Sequence, residues 1–251
     1  MNERKTAIVT GASSGIGREV AVQLAAAGYA LLIVGRDRVR LEETAGQAAA
    51  RAEAAGATPC CRCIPAAADL ANAAAARAVV DVALKELGRV DAIANVAGHG
   101  SVTPIDKITP ELWQRTIDVN VSSVVNLTAA AWPALRRQRS GVIVNVSSMS
   151  SVDPFPHLAA YATAKAAVNM FTLCTAREGR EIGIRAVAVA PGAVETAMLR
   201  AFFDEAAIPR GSTLDPAFVA GVICGCVTGQ RAFESGSTLV VPSPGSVFTL
   251  R

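Results

Sequence analysis

Seven short runs of Val, Ile, Ala and Leu recur along the chain, and each is separated from the next by a longer segment suited to a helix. The runs are Thr6–Thr10, Ala30–Gly35, Arg62–Pro65, Val90–Val96, Val142–Ser147, Ile184–Ala190 and Thr238–Val241. None alternates apolar with polar residues, as a strand wet on one face would, so they read as strands covered on both faces of a parallel sheet. Between them lie Gly15–Ala27, Arg38–Ala55, Ala71–Leu87, Pro110–Arg137, Tyr161–Glu181 and Pro216–Thr228, each long enough to be a crossover helix. A βαβα order throughout predicts a single α/β domain over residues 1–251. The expected architecture is a Rossmann-like, doubly wound sheet of about seven parallel strands with helices on both faces. No Pro/Gly/Ser-rich linker divides the chain and no repeat recurs in it.

Composition narrows the function. A mean hydropathy of +0.36 is high, yet alanine-rich runs such as 71–84 are interrupted by Asn72, Arg77 and Asp81. They end well short of the roughly 20 apolar residues that a membrane span needs. The opening residues lack the basic and apolar regions of a secretory leader, which points to the cytoplasm. Lys and Arg total 24 against 21 Asp and Glu, a net charge of +3, too balanced for a nucleic-acid surface. The six cysteines (Cys60, Cys61, Cys63, Cys174, Cys224, Cys226) do not fall in zinc-ribbon spacing, and only His99 and His157 add imidazole, so reduced structural thiols and no metal are expected.

Behind the first strand stands Thr10-Gly11-Ala12-Ser13-Ser14-Gly15-Ile16-Gly17, leading into a helix. Glycines let backbone approach a pyrophosphate, and a helix start offers unpaired N–H groups with a positive dipole end. Such a loop also occurs as a plain turn; its position at a strand-to-helix junction favours nucleotide binding. Tyr161 and Lys165 are four apart on a predicted helix and so share a face. A nearby ammonium stabilises phenolate and lowers a tyrosine's pKa, making it a usable proton donor and acceptor. Ser148 lies thirteen residues before Tyr161, at the end of the fifth strand, where its hydroxyl can bond a substrate oxygen. Ser147, Ser150 and Ser151 crowd the same place.

This set resembles the short-chain dehydrogenase/reductase family, in its shorter branch of about 250 residues, and the likeness runs along essentially the whole chain. Gly11, Ser13, Ser14, Gly15, Ile16 and Gly17 match the family's Thr-Gly-x-x-x-Gly-x-Gly loop. Asp69-Leu70 matches its adenine-contacting acidic position, and Asn95-Val96-Ala97-Gly98 its Asn-Asn-Ala-Gly motif with Val96 departing from the second asparagine. The resemblance implies that Asn95 braces the central sheet and that Ser148, rather than Ser147, binds the substrate oxygen. It further implies that Tyr161 is the acid/base, that Lys165 activates it and holds the nicotinamide ribose, and that Asn120 holds a proton-relaying water. Bending or bracing of a helix interior is the other reading of Asn120. Pro191-Gly192-Ala193-Val194-Glu195-Thr196 is similar to the family's Pro-Gly-x-Val-x-Thr segment, which brings Val194 and Thr196 to the carboxamide.

At the end of the second strand the chain reads Gly35-Arg36-Asp37. NAD-dependent members carry aspartate where Gly35 stands, whereas a guanidinium at Arg36 suits a 2′-phosphate, so NADP(H) is favoured over NAD(H). Arg36 as a solvated loop charge, with Asp37 reaching the ribose, is the alternative. The stretch after the sixth strand, residues 193–215, is expected to be a substrate lid. Met149, Phe155, His157, Met198, Leu199, Phe202 and Phe203 are candidates for a pocket wall suited to an apolar small-molecule ketone, aldehyde or alcohol.

The expected activity is therefore reversible hydride transfer between NADP(H) and such a substrate. Arg136, Arg137 and Arg139 resemble the carrier-protein contact of ketoacyl reductases, although cations at a helix end need no partner. A ketoacyl-thioester reductase of fatty-acid synthesis and a non-catalytic NADP-binding sensor are the competing readings. A homo-oligomer, tetramer or dimer, is implied by the resemblance. The tail Pro242–Arg251 departs from the family's usual Gly-Gly ending.

Overall fold

The computed structural model describes residues 5–57 and 62–250. Cys60, Cys61 and the opening residues 1–4 lie outside them. Eight strands form one sheet: β1 Thr6–Thr10, β2 Ala30–Gly35, β3 Cys63–Ala67, β4 Ala92–Asn95, β5 Gly141–Val146, β6 Ile184–Pro191, β7 Thr238–Ser243 and β8 Ser246–Leu250. Their order is β3-β2-β1-β4-β5-β6-β7-β8. Every pairing is parallel except β7 with β8. The chain reverses direction along the sheet between β3 and β4, so the connections after β1 and β4 leave to opposite faces of the sheet and open a crevice at its carboxyl edge.

The helices are α1 Gly15–Ala26, α2 Arg38–Ala54, α3 Ala73–Leu87, α4 Pro110–Ile117, α5 Ser123–Gln138, α6 Ala159–Gly179, α7 Ala197–Arg200 and α8 Pro216–Thr228. The uniform apolarity of the strands is explained by two cores that share them. Ala7, Val9, Leu31 and Ile33 pack with Leu24 of α1, Leu41 of α2 and Ile223 of α8. Their neighbours Ile8, Leu32 and Val34 point the other way, against Val80 of α3 and Leu127 and Leu135 of α5. A period of two in side-chain direction with both faces covered leaves no alternation of apolar and polar residues.

Two segments differ from the sequence expectation. The predicted single helix 110–137 is interrupted by a π turn at Asp118–Ser122, because Asn120 turns its amide onto the Thr116 carbonyl instead of outward. The tail is not loose: Ser246–Leu250 folds back as the eighth strand, the one addition to the expected seven.

Candidate functional site

The carboxyl ends of β1, β2, β4, β5 and β6 surround one cavity of about 940 Å³. Of the residues singled out from sequence, Gly11, Ser13, Ser14, Gly15, Ile16, Gly17, Arg36, Asp69, Leu70, Ala97 and Gly98 line it. Ser148, Tyr161, Lys165, Pro191, Gly192, Val194 and Thr196 line it too. Asn95 and Asn120 are not on the wall. Both are buried side chains that hold the wall from behind.

The glycine loop is close-packed backbone. A Cβ on Gly17 would lie 2.3 Å from the Gly11 carbonyl oxygen, and one on Gly11, whose φ is +66°, would lie 2.8 Å from the Ala97 backbone. Thr10 Oγ1 accepts from the amides of Val96 and Ala97, each at 3.0 Å, and so ties the loops after β1 and β4 together. Ser14, the residue before α1, makes no side-chain cap bond, which leaves the first amides of that helix free for an anion. This cradle fits a dinucleotide pyrophosphate.

Arg36 is exposed and forms no hydrogen bond or ion pair with any described residue, while its side chain lines the cavity mouth. Asp37 is engaged elsewhere: it caps α2 by accepting from the Arg40 amide at 3.1 Å and pairs with the Arg40 guanidinium at 3.4 Å. A Cβ on Gly35 would meet Ser13 Oγ at 2.6 Å. Opposite, the Asp69 carboxylate accepts from the Ala71 amide, and Leu70 is buried. Asn126 of α5, which sequence reasoning missed, donates to the carbonyls of Leu70 and Ala71 and fixes this turn.

At the centre, Asn95 Nδ2 donates to Asn145 Oδ1 at 2.8 Å, and Asn145 Nδ2 to Thr172 at 2.9 Å. Asn145 and Thr172 read as ordinary strand and helix residues in sequence. Beyond them, β5 ends at the serine cluster. Ser147 donates to the Lys165 carbonyl at 3.1 Å, whereas Ser148 faces Tyr161 and hydrogen-bonds its hydroxyl. Lys165 Nζ donates to the Val146 carbonyl at 2.8 Å and stands 5.7 Å from the centroid of the Tyr161 ring.

Burial governs both titrating groups. It pushes the Tyr161 phenol up, opposed by the Ser148 hydrogen bond, and pulls the Lys165 ammonium down to about 8. The expected depression of the tyrosine by its lysine is thus outweighed in the protein alone, since desolvation disfavours phenolate and ammonium alike. Asn120 Nδ2 donates to the carbonyls of His99 (2.7 Å) and Thr116 (2.9 Å), and its Oδ1 accepts from the His99 amide. A Cβ on Gly98 would lie 3.2 Å from Asn120 Oδ1 and 3.4 Å from Lys165 Nζ, so only a glycine keeps the space between the two polar groups open.

The segment after β6 closes the cavity. It is more regular than expected, with α7 and a short 3-10 turn at Arg210–Ser212. Its two ends are joined by a bridge between Val194 and Leu214. Arg200 bonds both carboxylate oxygens of Glu195 and donates to the Ile208 carbonyl at 2.7 Å and the Asp204 carbonyl at 3.1 Å. This fold-back presents Met198, Leu199, Phe202, Phe203 and Ile208 to the cavity, across from Met149, Phe155 and Leu158. His157, a candidate for the wall, is not part of it. Its backbone sits at φ 67° and its carbonyl accepts from the Thr103 amide. Among the described residues no group of acidic, His or Cys side chains could hold a metal, and no helix is long and apolar enough to cross a membrane.

The family model for short chain dehydrogenase matches residues 5–207. The chain is 35% identical to 3beta-hydroxysteroid dehydrogenase 1 of Eggerthella lenta, covering 94% of this chain and 92% of that protein. It is 32% identical to an acetoacetyl-CoA reductase of Acinetobacter sp., with 96% and 97% covered. Among solved structures, 3-ketoacyl-(acyl-carrier-protein) reductase of Brucella melitensis, complexed with NADH, superposes with a TM-score of 0.84 at 31% identity, covering 95% of this chain and 97% of that one. With its glycine cradle, its Ser148–Tyr161–Lys165 cluster and these relatives, the chain belongs to the short-chain dehydrogenase family and is an oxidoreductase.

Proposed function

We propose that this protein is an NADP(H)-dependent oxidoreductase that interconverts a bulky, uncharged ketone or aldehyde and its alcohol. The observation that carries the reading is that the glycine cradle, Arg36 and the Ser148–Tyr161 pair all line the same cavity. A nicotinamide cofactor, when bound, supplies or accepts the hydride. Ser148 donates to the substrate oxygen, and Tyr161 gives that oxygen its proton in reduction and takes it back in oxidation. Lys165 holds the nicotinamide ribose and offsets charge on the tyrosine. Asn120, across Gly98 from Lys165, positions the proton relay that reloads it.

The free guanidinium of Arg36 supports the preference for NADP(H), because it matches a 2′-phosphate bidentately. Two further features weigh against NAD(H): Asp37 is committed to α2, and Ser13 occupies the room a side chain at position 35 would need. The apolar wall formed by Met149, Phe155, Phe202 and Phe203 supports a neutral substrate. Reduction of a ketoacyl thioester is the second reading, favoured by the acetoacetyl-CoA and ketoacyl reductase relatives. The test is cofactor oxidation by purified protein with NADPH or NADH against steroid ketones, aromatic diketones, simple aldehydes and acetoacetyl-CoA. Faster turnover with NADPH on an apolar ketone is expected. Preference for NADH overturns the cofactor assignment, and preference for acetoacetyl-CoA selects the second reading.

A further inference from the structure

Ser148 Oγ has one proton and two lone pairs, and the serine two residues on addresses both lone pairs. The Ser150 amide donates to Ser148 Oγ at 3.2 Å, and Ser150 Oγ lies 2.9 Å from it. Ser150 is itself only 5% exposed and lies in the 3-10 turn Met149–Ser151. No other partner of the Ser150 hydroxyl is present among the described residues. The turn is held from beneath, since Ser151 donates to the Ser148 carbonyl at 2.6 Å and receives a bond from Asn169 at 2.9 Å. We infer that Ser150 is a positioning residue of this site: with its amide and hydroxyl on the lone pairs of Ser148 Oγ, the Ser148 proton is directed to Tyr161 and, in turn, to the substrate oxygen.

The direction of the hydroxyl pair follows from what Ser148 must do. If Ser148 donated to Ser150, its proton would point away from the cavity and Tyr161 phenolate would face a lone pair. If Ser150 donates to Ser148, the chain Ser150→Ser148→Tyr161 runs toward the developing charge, and each bond polarises the next. The Ser148 bond acts to make Tyr161 more acidic, which is the sense of a donor to phenolate. The groups around the tyrosine leave this bond a clear role. Lys165 stands over the ring, the lid brings Phe202 near Gly100 beside it, and the His99 imidazole in the loop after β4 is held below its ordinary value by burial and by Arg115 and Arg36.

This inference rests on Tyr161 as the acid/base, and its test needs no substrate. The chain has two tyrosines, so a Tyr29→Phe background leaves Tyr161 as the one phenol. Its phenolate is titrated by difference absorbance with the oxidised nicotinamide cofactor bound. Ser150→Ala should shift the titration to higher pH, leaving roughly five-fold less phenolate at a fixed pH, the equivalent of one ordinary hydrogen bond. Ser150→Thr, which restores the hydroxyl, should return it. Cofactor affinity should be unchanged in both. An unmoved titration in Ser150→Ala, in a background where Ser148→Ala does move it, overturns the proposal. If Ser150→Ala does not fold, Ser150→Cys, a weak donor of similar size, must give the same upward shift or the proposal fails. Absence of turnover on a carbonyl panel would count against the proposed activity while leaving this titration to decide on Ser150.

Discussion

Lys165 is a charge kept where water is largely excluded: 3% of its surface is exposed, and one carbonyl, that of Val146, accepts from it. Its pKa in the folded protein is about 8 against 10.5 for the free group. For a base depressed on folding, the unfolded chain binds more protons between those two values, so this group adds stability as pH rises through that window and costs most below it. Lys165→Met should therefore melt at a higher temperature than the parent at neutral pH, with the gap narrowing above pH 8. The same variant should lose most of its turnover, as expected where an active site retains a charge the fold does not favour. A lower melting temperature for Lys165→Met at neutral pH would show that the ammonium stabilises the fold. On the proposed mechanism Tyr161→Phe removes the proton donor and leaves packing intact. It should keep cofactor affinity and lose on the order of 10²-fold or more in turnover. The pairing of Tyr161 with Lys165 was legible in sequence because a four-residue spacing fixes a helix face. The burial that sets their titration was not, because it depends on how the end of β5 and the loop after β4 pack against this helix.

At the level of elements, the segment after β6, expected from sequence to be a lid, is the part least legible in the sequence. Residues 193–215 read as irregular because Pro209, Gly211 and Ser212 mark turns and no periodicity runs through the segment. What orders it is a contact between side chain and backbone that composition does not reveal: Arg200 gathers the carbonyls of Asp204 and Ile208 and the carboxylate of Glu195. Thr213 and Arg210 close on the same carboxylate. Arg200 beside Glu195 holds that carboxyl down to about 2. A carboxylate depressed on folding contributes stability above its ordinary range and loses it as pH falls toward the folded value, so the lid should keep its shape through mild acid. Arg200→Ala frees the wall that carries Phe202 and Phe203. It should raise KM for a bulky ketone by about ten-fold while leaving cofactor affinity unchanged, the mark of lost positioning. Arg200→Lys should rescue little, since an ammonium lacks the planar fork that reaches carboxylate and carbonyls together. Equal loss for small and bulky ketones would place the role of Arg200 outside the lid. The π turn was hidden for a similar reason. Asn120 was a candidate from sequence, but where the helix widens around it follows only from the His99 loop that packs against it.

On the scale of the whole molecule, the order of strands and helices was readable because one physical rule generates it: strands covered on both faces show no alternation of apolar and polar residues. The eighth strand escaped because Ser246–Leu250 is only half covered, so its apolar residues mimic a tail. The sheet matters to function through its crevice. One ligand lying across the ends of β1, β2, β4 and β6 ties together segments from residue 11 to residue 196, and any ligand that binds the folded form alone stabilises it by mass action. At about one hundred times its dissociation constant, a cofactor should add about 2.7 kcal/mol, or roughly 5–10 °C in melting temperature for a domain of this size. NADPH should give this shift at lower concentration than NADH, because only NADPH offers Arg36 a phosphate. In Arg36→Ala the two concentration curves should converge, since the loss falls on the NADPH complex and leaves the shared pyrophosphate cradle intact. If the curves for NADPH and NADH already coincide in the parent protein, Arg36 is a solvated charge and the selectivity assigned to it is wrong. If they differ and Arg36→Ala does not bring them together, the 2′-phosphate is held by some other group at the cavity mouth.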